Sequence, residues 1–287
     1  MSEHPSPVSD ADFARFCEFL YRRTGMLFTP AKRYFVDRRL SERMKATASR
    51  SFAVYLARLR SDTDGEVEKL INAFTINETY FYREDHQLRC LTASLLPELV
   101  GPKPPGSTLR IWSVPCSTGE EPYSVAMWLL ENWPEVDRYD IEIVGSDIDT
   151  RALAAAEEGL YGERALMRLS TDLVGRYFVR EETRLGPSWR ILADLRSSVR
   201  FTPCNLTDAA GMAAHGRFDI VFCRNVLIYF DDASRRLAAD NIYDALVPGG
   251  VVCLGHTESM SRISSLFRVC RYDDAIVYRR PREGEHV

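Results

Sequence analysis

Short apolar runs alternate with helical segments from about residue 108 onward, and this alternation restricts the fold more than any other feature of the sequence. The runs are TLRIWSV, IEIVGSD, VRFTPCN, FDIVFCRN and VVCLGHT, beginning at residues 108, 141, 199, 218 and 251. Helices are predicted between them at roughly 121–132, 150–158 and 233–246, the last ended by Pro248, Gly249 and Gly250. Strands that alternate with helices in this way form an open, mostly parallel sheet covered on both faces. The sequence therefore predicts an α/β fold for this region.

Two segments of the same region depart from the alternation. Residues 162–198 fit neither a helical nor a strand period, and LGPSW at 185–189 indicates a turn inside an inserted small β subdomain. LFRVCRYDDAIVYRR at 266–280 predicts a closing β-hairpin around Asp273 and Asp274. The parallel sheet is therefore expected to end in an antiparallel pair.

Residues 10–75 have helical periodicity instead. Apolar side chains recur at steps of three and four residues, and Asp10, Thr29-Pro30 and Ser51 are predicted helix starts. GPKPPG at 101–106 is a linker before the first strand. The predicted organisation is a helical domain at 1–76, a linker segment with a helix at 77–106, and an α/β domain at 107–287 with the inserted subdomain at about 162–198.

Composition excludes several classes of protein. No stretch of the 287 residues approaches a membrane span, and the N-terminal residues do not resemble a secretory signal, so we expect a cytoplasmic protein. The net charge of −4 and the absence of a long basic stripe argue against nucleic acid as a partner. The seven cysteines form no C-x-x-C pair and the five histidines have no ligand spacing. Reduced buried thiols and no metal site are expected.

One segment is strongly basic despite the acidic total. Residues 32–50 contain seven lysines and arginines against two acidic residues, and Arg39 and Arg43 share one face of the predicted helix. Either the segment is a solvated surface, or it contacts an acidic partner.

Polar side chains follow three of the predicted strands, in SVPCSTGEE, GSDID and CRN. Ligands bind at the carboxyl ends of parallel strands, so these side chains should meet in one crevice. Ser117 with Glu120, or Thr118 with Glu121, matches a capping box, in which one glutamate caps the helix and the other faces the crevice. Two carboxylates here would repel a pyrophosphate and attract a cationic amino group.

The second strand ends in SDID at 146–149. Asp149 is placed to cap the following helix, whereas Asp147 is placed to accept hydrogen bonds from both hydroxyls of an adenosine ribose. S-adenosylmethionine meets both demands, because it joins an adenosine to a cationic sulfonium and an amino acid tail, without phosphate. The residues therefore predict this cofactor.

Four blocks together resemble the chemotaxis protein methyltransferases, the CheR family. They are NETYFYRE at 77–84, WSVPCSTGEEPYSVAM at 112–127, SDIDT at 146–150 and CRNVLIYFD at 223–231. The resemblance extends over almost the whole chain. It implies a class I methyltransferase-like fold, with a mostly parallel sheet, a small N-terminal helical domain and an inserted small β subdomain.

The resemblance also implies an activity. It is the transfer of a methyl group from S-adenosylmethionine to specific glutamate side chains in the cytoplasmic helical bundle of bacterial chemoreceptors. Arg83 and Tyr229 would lie near the transferred methyl, and Arg39 and Arg43 would contact the acidic receptor. The residues implied to contact the cofactor are Asn77, Thr79, Arg83, Glu121, Asp147, Asn205, Leu206, Asn225 and Val226.

Some members of the family also bind a C-terminal receptor pentapeptide through a glycine-rich loop of the inserted subdomain. The corresponding stretch here, TRLGPSWRI, has a single glycine followed by Pro187, which lacks the backbone donor that strand addition needs. Strong pentapeptide binding is therefore not expected. Two other functions stay open at this point: a methyltransferase for nucleic acid or a small molecule, and an adaptor that binds cofactor and receptor without transfer.

Overall fold

The computed structural model describes residues 8–184 and 186–285. Residues 1–7 and 286–287 lie outside this description, as does Leu185, which falls in the predicted turn. Within the described residues, no helix combines the length and the apolar character needed to cross a membrane.

The N-terminal part is helical, as predicted. Ser51 caps its helix as predicted by accepting from Val54 N, whereas Ser9, one residue before the predicted start, caps the first helix. The predicted Thr29-Pro30 start leads into a single 3₁₀ turn at Pro30–Lys32. The helices are α1 (Asp10–Thr24), α2 (Arg33–Ala46), α3 (Phe52–Ser61) and α4 (Glu66–Phe74).

The rest of the chain forms a seven-stranded sheet of order β6-β2-β1-β7-β8-β10-β9. The first five strands in this order are parallel, and the last two form the predicted antiparallel hairpin. The α/β fold class is therefore confirmed. The strands are β1 (Thr108–Ser113), β2 (Asp140–Asp147), β6 (Val199–Pro203), β7 (Phe218–Cys223), β8 (Leu246–Leu254), β9 (Arg268–Arg271) and β10 (Ile276–Arg279).

Helices cover both faces of this sheet. The helices are α5 (Asp85–Cys90), α6 (Leu96–Val100), α7 (Glu120–Asn132), α8 (Thr150–Glu158), α9 (Glu163–Leu166), α10 (Thr171–Tyr177), α11 (Ala193–Ser197), α12 (Ala209–Ala213) and α13 (Asp232–Ala245). A π-helical turn at Leu91–Leu95 joins α5 to α6. Short 3₁₀ turns lie at Val136–Arg138, Leu227–Tyr229 and Met260–Arg262.

The last predicted helix, 233–246, is present, but Pro248, Gly249 and Gly250 are not what ends it. α13 ends at Ala245, and Pro248, Gly249 and Gly250 lie inside β8 rather than in a turn before it. The pairing of β7 with β8 shifts register at this point, and Gly249 has φ of 84°. A Cβ on Gly250 would approach the Asp219 carbonyl oxygen to 3.1 Å. The glycines therefore form an irregularity within the strand, where the two backbones come close.

The inserted subdomain is a second, antiparallel sheet of β3 (Leu160–Tyr161), β4 (Phe178–Thr183) and β5 (Gly186–Ile191), in the order β3-β5-β4. The turn predicted at 185–189 is misplaced, because β5 already begins at Gly186 and runs through this stretch. Among the described residues of β5, β3 pairs only with Trp189 and Arg190. The start of β5 therefore lies at a sheet edge, where Pro187 costs no ladder hydrogen bond on that side.

Two apolar cores lie on the two faces of the large sheet. One joins the helical domain to the sheet, with Phe16 and Phe74 in the same cluster as Trp112. The other packs the inserted subdomain and α7 on the opposite face, around Phe81 and Tyr123. The helical domain therefore shares its core with the sheet and closes one side of the crevice at the strand ends.

Candidate active site

One pocket at the carboxyl ends of the parallel strands contains every residue predicted to contact the cofactor or the transferred methyl. It encloses about 1060 Å³, part of it open to solvent. Strand ends form its floor, the segment after α4 one wall, and the α1 end of the helical domain another. The predicted residues on its lining are Asn77, Thr79, Arg83, Glu121, Asp147, Asn205, Leu206, Asn225, Val226 and Tyr229.

The start of α7 differs from the predicted capping box. Gly119 is the N-cap residue, with φ of 92°, and no side chain caps the helix. A Cβ at Gly119 would lie 2.8 Å from the Ala156 Cβ, so the turn needs glycine both for its conformation and for its packing. Glu120 is buried and accepts from Thr118 Oγ1 at 2.7 Å, and burial raises the pKa of its carboxyl. Glu120 therefore belongs to the packing of the turn, and Glu121 alone faces the pocket.

Glu121 is held in place from two sides. Its Oε1 accepts from Ser113 Oγ at 2.7 Å and its Oε2 accepts from Arg224 Nη1 at 2.8 Å. The Arg224 side chain is 4% exposed and also lies 3.2 Å from the Glu84 carboxylate. Two carboxylates around one buried guanidinium leave this cluster with a negative charge in excess, which favours a cationic ligand group.

Asp147 is fixed by backbone donors. Its Oδ2 accepts from Ser117 N at 2.8 Å and its Oδ1 from Asp149 N at 2.9 Å. Burial raises the pKa of this carboxyl to about 6, although the backbone donors oppose the shift. The remaining lone pairs are available to hydroxyl donors in the pocket. The neighbouring Ser117 Oγ is buried and has no partner among the described residues, as expected for a group that meets a ligand.

Asp149 caps α8, as predicted, by accepting from Arg151 N at 2.9 Å and Ala152 N at 3.2 Å. Its second oxygen accepts from Asn77 Nδ2 at 2.8 Å. This bond orients the Asn77 amide and ties the segment after α4 to the turn that carries Asp147. Thr79 lies on the same segment and on the lining of the pocket.

Asn205 connects the helical domain to the pocket. Its Nδ2 donates to the Arg23 carbonyl oxygen at 2.8 Å, and its Oδ1 accepts from Thr207 N at 3.0 Å. Leu206, the next residue, is buried and provides an apolar wall. Asn205 is thus placed by contacts within the chain, and its predicted contact with the cofactor stays a prediction.

The two predicted catalytic residues lie on opposite loops of the pocket. Arg83 donates from Nη1 to the Glu78 carbonyl oxygen at 2.6 Å and lies over the Tyr80 ring. Tyr229 ends the 3₁₀ turn after β7, and its carbonyl oxygen accepts from Leu27 N of the helical domain at 3.0 Å. Burial raises the pKa of the Tyr229 hydroxyl, so it stays protonated and able to donate at neutral pH.

The two arginines of the basic segment have different surroundings. Arg43 Nη2 lies 2.6 Å from Oε2 of Glu66, whose side chain is 2% exposed, so this charge is already paired within the helical domain. Arg39 lies over the Phe35 ring and lines a groove next to the pocket, together with Glu78 and Arg164. Arg39 is therefore the one of the two that faces this groove, and contact of either arginine with a partner stays a prediction.

Sequence reasoning missed Arg224. The available signal was a charged residue directly after the apolar run that forms β7. An arginine at the end of a buried strand is expected to be buried itself, and a buried arginine requires acidic or carbonyl partners. The arrangement of Glu121, Asp147 and Arg224 fits S-adenosylmethionine. Glu121 could hold a cationic amino group and Asp147 the ribose hydroxyls, while the two terminal nitrogens of Arg224 already contact protein groups.

Comparison with known proteins agrees with this fit. Residues 77–276 match the family model described as CheR methyltransferase, SAM binding domain, and residues 11–75 match CheR methyltransferase, all-alpha domain. Chemotaxis protein methyltransferase 2 of Vibrio cholerae is 46% identical, covering 97% of this chain and 96% of that protein. Chemotaxis protein methyltransferase 1 of Pseudomonas aeruginosa is 34% identical, with 95% and 98% covered. The chemotaxis protein methyltransferase of Escherichia coli is 34% identical, with 91% and 88% covered.

The matches of both domains, the observed fold and the similarity over the full length all indicate the same family. The chain belongs to the CheR family of chemotaxis protein methyltransferases.

Proposed function

We propose that this protein transfers the methyl group of S-adenosylmethionine to the γ-carboxylate of specific glutamates in the cytoplasmic helical bundle of bacterial chemoreceptors, giving glutamyl methyl esters. The observation that carries the proposal is the placement of Arg83 and Tyr229 on one pocket with the two acids, Glu121 and Asp147. An anionic acceptor and a cationic donor would thus meet in one crevice. Because the receptor segment is cytoplasmic, we also propose a cytoplasmic location.

Glu121 would hold the amino group of the cofactor and Asp147 its ribose hydroxyls. Their distinct supports, a side-chain pair for Glu121 and backbone N–H groups for Asp147, keep the two carboxylates fixed before any ligand enters. When bound, the cofactor supplies an electrophilic methyl on a sulfonium. The other residues proposed to contact it are Asn77, Thr79, Arg83, Asn205, Leu206, Asn225 and Val226.

The acceptor needs no dedicated base. A glutamate with an ordinary pKa of about 4.3 is ionised at neutral pH and is already the nucleophile. Arg83 would attract and orient this carboxylate, and Tyr229 would donate its hydroxyl hydrogen to one carboxylate oxygen. Catalysis would then come mainly from alignment in a site shielded from water. Each transfer removes one negative charge from the receptor helix and so alters the packing of the bundle.

The decisive experiment is transfer of a radiolabelled methyl group to a purified receptor cytoplasmic domain. We expect base-labile label on the receptor, and none when its methylated glutamates are changed to alanine. Label on RNA or on a small molecule instead would favour a different methyltransferase. Binding of S-adenosylhomocysteine and receptor with no transfer at all would favour an adaptor.

A further inference from the structure

Glu258 lies in the turn after β8, behind the pocket rather than on its lining. Its carboxylate accepts three backbone hydrogen bonds. Oε2 accepts from Asn225 N at 2.8 Å and Gly255 N at 3.0 Å, and Oε1 accepts from Leu227 N at 2.8 Å. A partly buried carboxylate that accepts from three main-chain donors constrains the course of the backbone that supplies them.

Two of these donors belong to the loop after β7, which we call the 224–229 loop. It carries Asn225 and Val226, both on the pocket lining, and ends at Tyr229. Asn225 has φ of 59°, in the left-handed region that residues other than glycine seldom adopt. Such a strained conformation persists only where surrounding contacts stabilise it. The Glu258 carboxylate provides one of these contacts by accepting a hydrogen bond from Asn225 N.

Gly255 makes the approach of Glu258 possible. A Cβ at this position would lie 2.7 Å from Asn225 Nδ2 and 2.9 Å from Glu258 Oε2. Any side chain here would therefore separate Glu258 from the 224–229 loop or displace the Asn225 amide. Substitution at Gly255 disturbs the same contact while keeping the carboxylate in the chain.

We infer that Glu258 is a positioning residue for methyl transfer: it sets the conformation of the 224–229 loop and thereby places Asn225 against the cofactor and Tyr229 against the acceptor carboxylate. This inference rests on the proposed function. Glu258 acts on the reaction only through the backbone N–H groups of Asn225 and Leu227.

The variant Glu258→Gln tests the inference with little change of shape. An amide has only one acceptor oxygen, so glutamine can replace either Oε2 or Oε1 of Glu258, but not both. Its NH₂ group then points at a backbone N–H group, and two donors cannot hydrogen-bond to each other. If the amide oxygen takes the Oε2 position, the Leu227 N–H loses its acceptor, and the turn that carries Tyr229 is released. Displacements of about 1 Å at a reacting centre cost roughly 100-fold in rate.

The matched control is Glu142→Gln. The Glu142 carboxylate is held by ion pairs instead of backbone N–H groups: it lies 2.6 Å from Arg110 and 2.8 Å from Arg200, at the end of β2 far from the pocket. This substitution lowers stability without changing the 224–229 loop. The proteins to compare are the full-length wild type, Glu258→Gln, Gly255→Ala and Glu142→Gln, all assayed well below their unfolding temperatures.

Three quantities are measured: kcat for receptor methylation, KM for the receptor, and the Kd of S-adenosylhomocysteine by calorimetry. We expect Glu258→Gln and Gly255→Ala to lower kcat by roughly 10-fold to 100-fold and to raise the Kd several-fold, with receptor KM changed less than twofold. Glu142→Gln should lower only the unfolding temperature.

Unchanged kcat and Kd in Glu258→Gln would overturn the inference, as would a loss of thermal stability alone, matching that of Glu142→Gln. Failure of the proposed function would be distinguishable from this result. The wild type would then methylate no receptor, while the comparison of Kd values would still report whether Glu258 places Asn225.

Discussion

Arg224 Nη1 lies 2.8 Å from Glu121 Oε2, and Nη2 of the same guanidinium lies 2.7 Å from the Arg83 carbonyl oxygen. One buried side chain thus links the carboxylate proposed for the cofactor's amino group to the backbone of the arginine proposed for the acceptor. The planar fork of arginine makes both contacts possible at once, whereas a lysine ammonium reaches only one of these groups. The two halves of the proposed site therefore share one support.

We predict that Arg224→Lys weakens S-adenosylhomocysteine binding by roughly tenfold and lowers kcat by at least as much, because charge is kept but the fork is lost. Arg224→Met should in addition destabilise the fold by about 3–5 kcal/mol, because two poorly exposed carboxylates lose their partner. Calorimetry and chemical denaturation give these quantities. Arg110→Lys, which changes an arginine fork at the far end of the sheet, is the control. If Arg224→Lys binds S-adenosylhomocysteine as tightly as the wild type does, the Arg224 fork is not needed to hold the cofactor site in place.

We predict that cofactor affinity depends on pH through the protonation of Asp147. Its pKa is raised to about 6 by burial. The two ribose hydroxyls that we propose as its ligands donate more strongly to the ionised carboxylate than to the neutral acid. Binding should therefore weaken as pH falls through about 6, by about tenfold at pH 5 relative to pH 8. The folded state holds this proton more tightly than the unfolded chain does. The Asp147 contribution to folding stability should thus be largest at low pH and decline as pH rises from about 4 to about 6.

The measurement is the Kd of S-adenosylhomocysteine between pH 5 and pH 8. In Asp147→Asn we expect weaker binding overall and a flatter pH profile, since the titrating group is gone. The unfolding free energy of the wild type minus that of Asp147→Asn should fall as pH rises from about 4 to about 6. An identical profile in the two proteins would assign the pH dependence to another group.

The sequence was sufficient for features that depend on local pattern. Strand runs, helix periodicity and the Asp149 cap follow from residues close together in the chain, and the structure confirms them. The convergence of three strand ends in one pocket also follows from the rule for parallel sheets.

The errors arose where a contact distant in sequence decides the local structure. Gly119 replaces the predicted capping box because Ala156 packs against it. Pro248 lies within strand β8 because β7 pairs with β8 on both sides of it, at Leu246 and again from Val251 onward. None of these partners can be identified from neighbouring residues.

We predict that the inserted subdomain binds a C-terminal receptor pentapeptide only weakly. Added strands pair through backbone N–H groups, and Pro187 removes one at the start of β5, where β3 offers no partner. Calorimetry with a receptor-type pentapeptide should show no binding at micromolar concentrations. Pro187→Gly restores the donor and serves as the comparison. Micromolar affinity of the wild type would show that another edge of this subdomain binds the peptide.

Separate substitutions of Arg39 and Arg43, both on α2, can distinguish an effect on receptor docking from an effect on folding stability. Arg39→Glu reverses a charge beside the groove that adjoins the pocket, whereas Arg43→Glu places a negative charge against the buried Glu66. We predict that Arg39→Glu raises receptor KM by roughly fivefold and flattens its dependence on salt, with the Kd of S-adenosylhomocysteine and the unfolding temperature unchanged. Arg43→Glu should destabilise the protein by about 3–5 kcal/mol.

These two variants belong in one experiment because reversing both arginines together would mix the two effects. Receptor kinetics are measured from low to physiological salt, where attraction between exposed charges decreases with screening. Arg43→Met retains the apolar contacts of the side chain and shows how much of any change in KM follows from instability alone. If receptor KM and its salt dependence are the same in Arg39→Glu as in the wild type, α2 does not dock the acidic receptor helix, and the groove beside the pocket has another role.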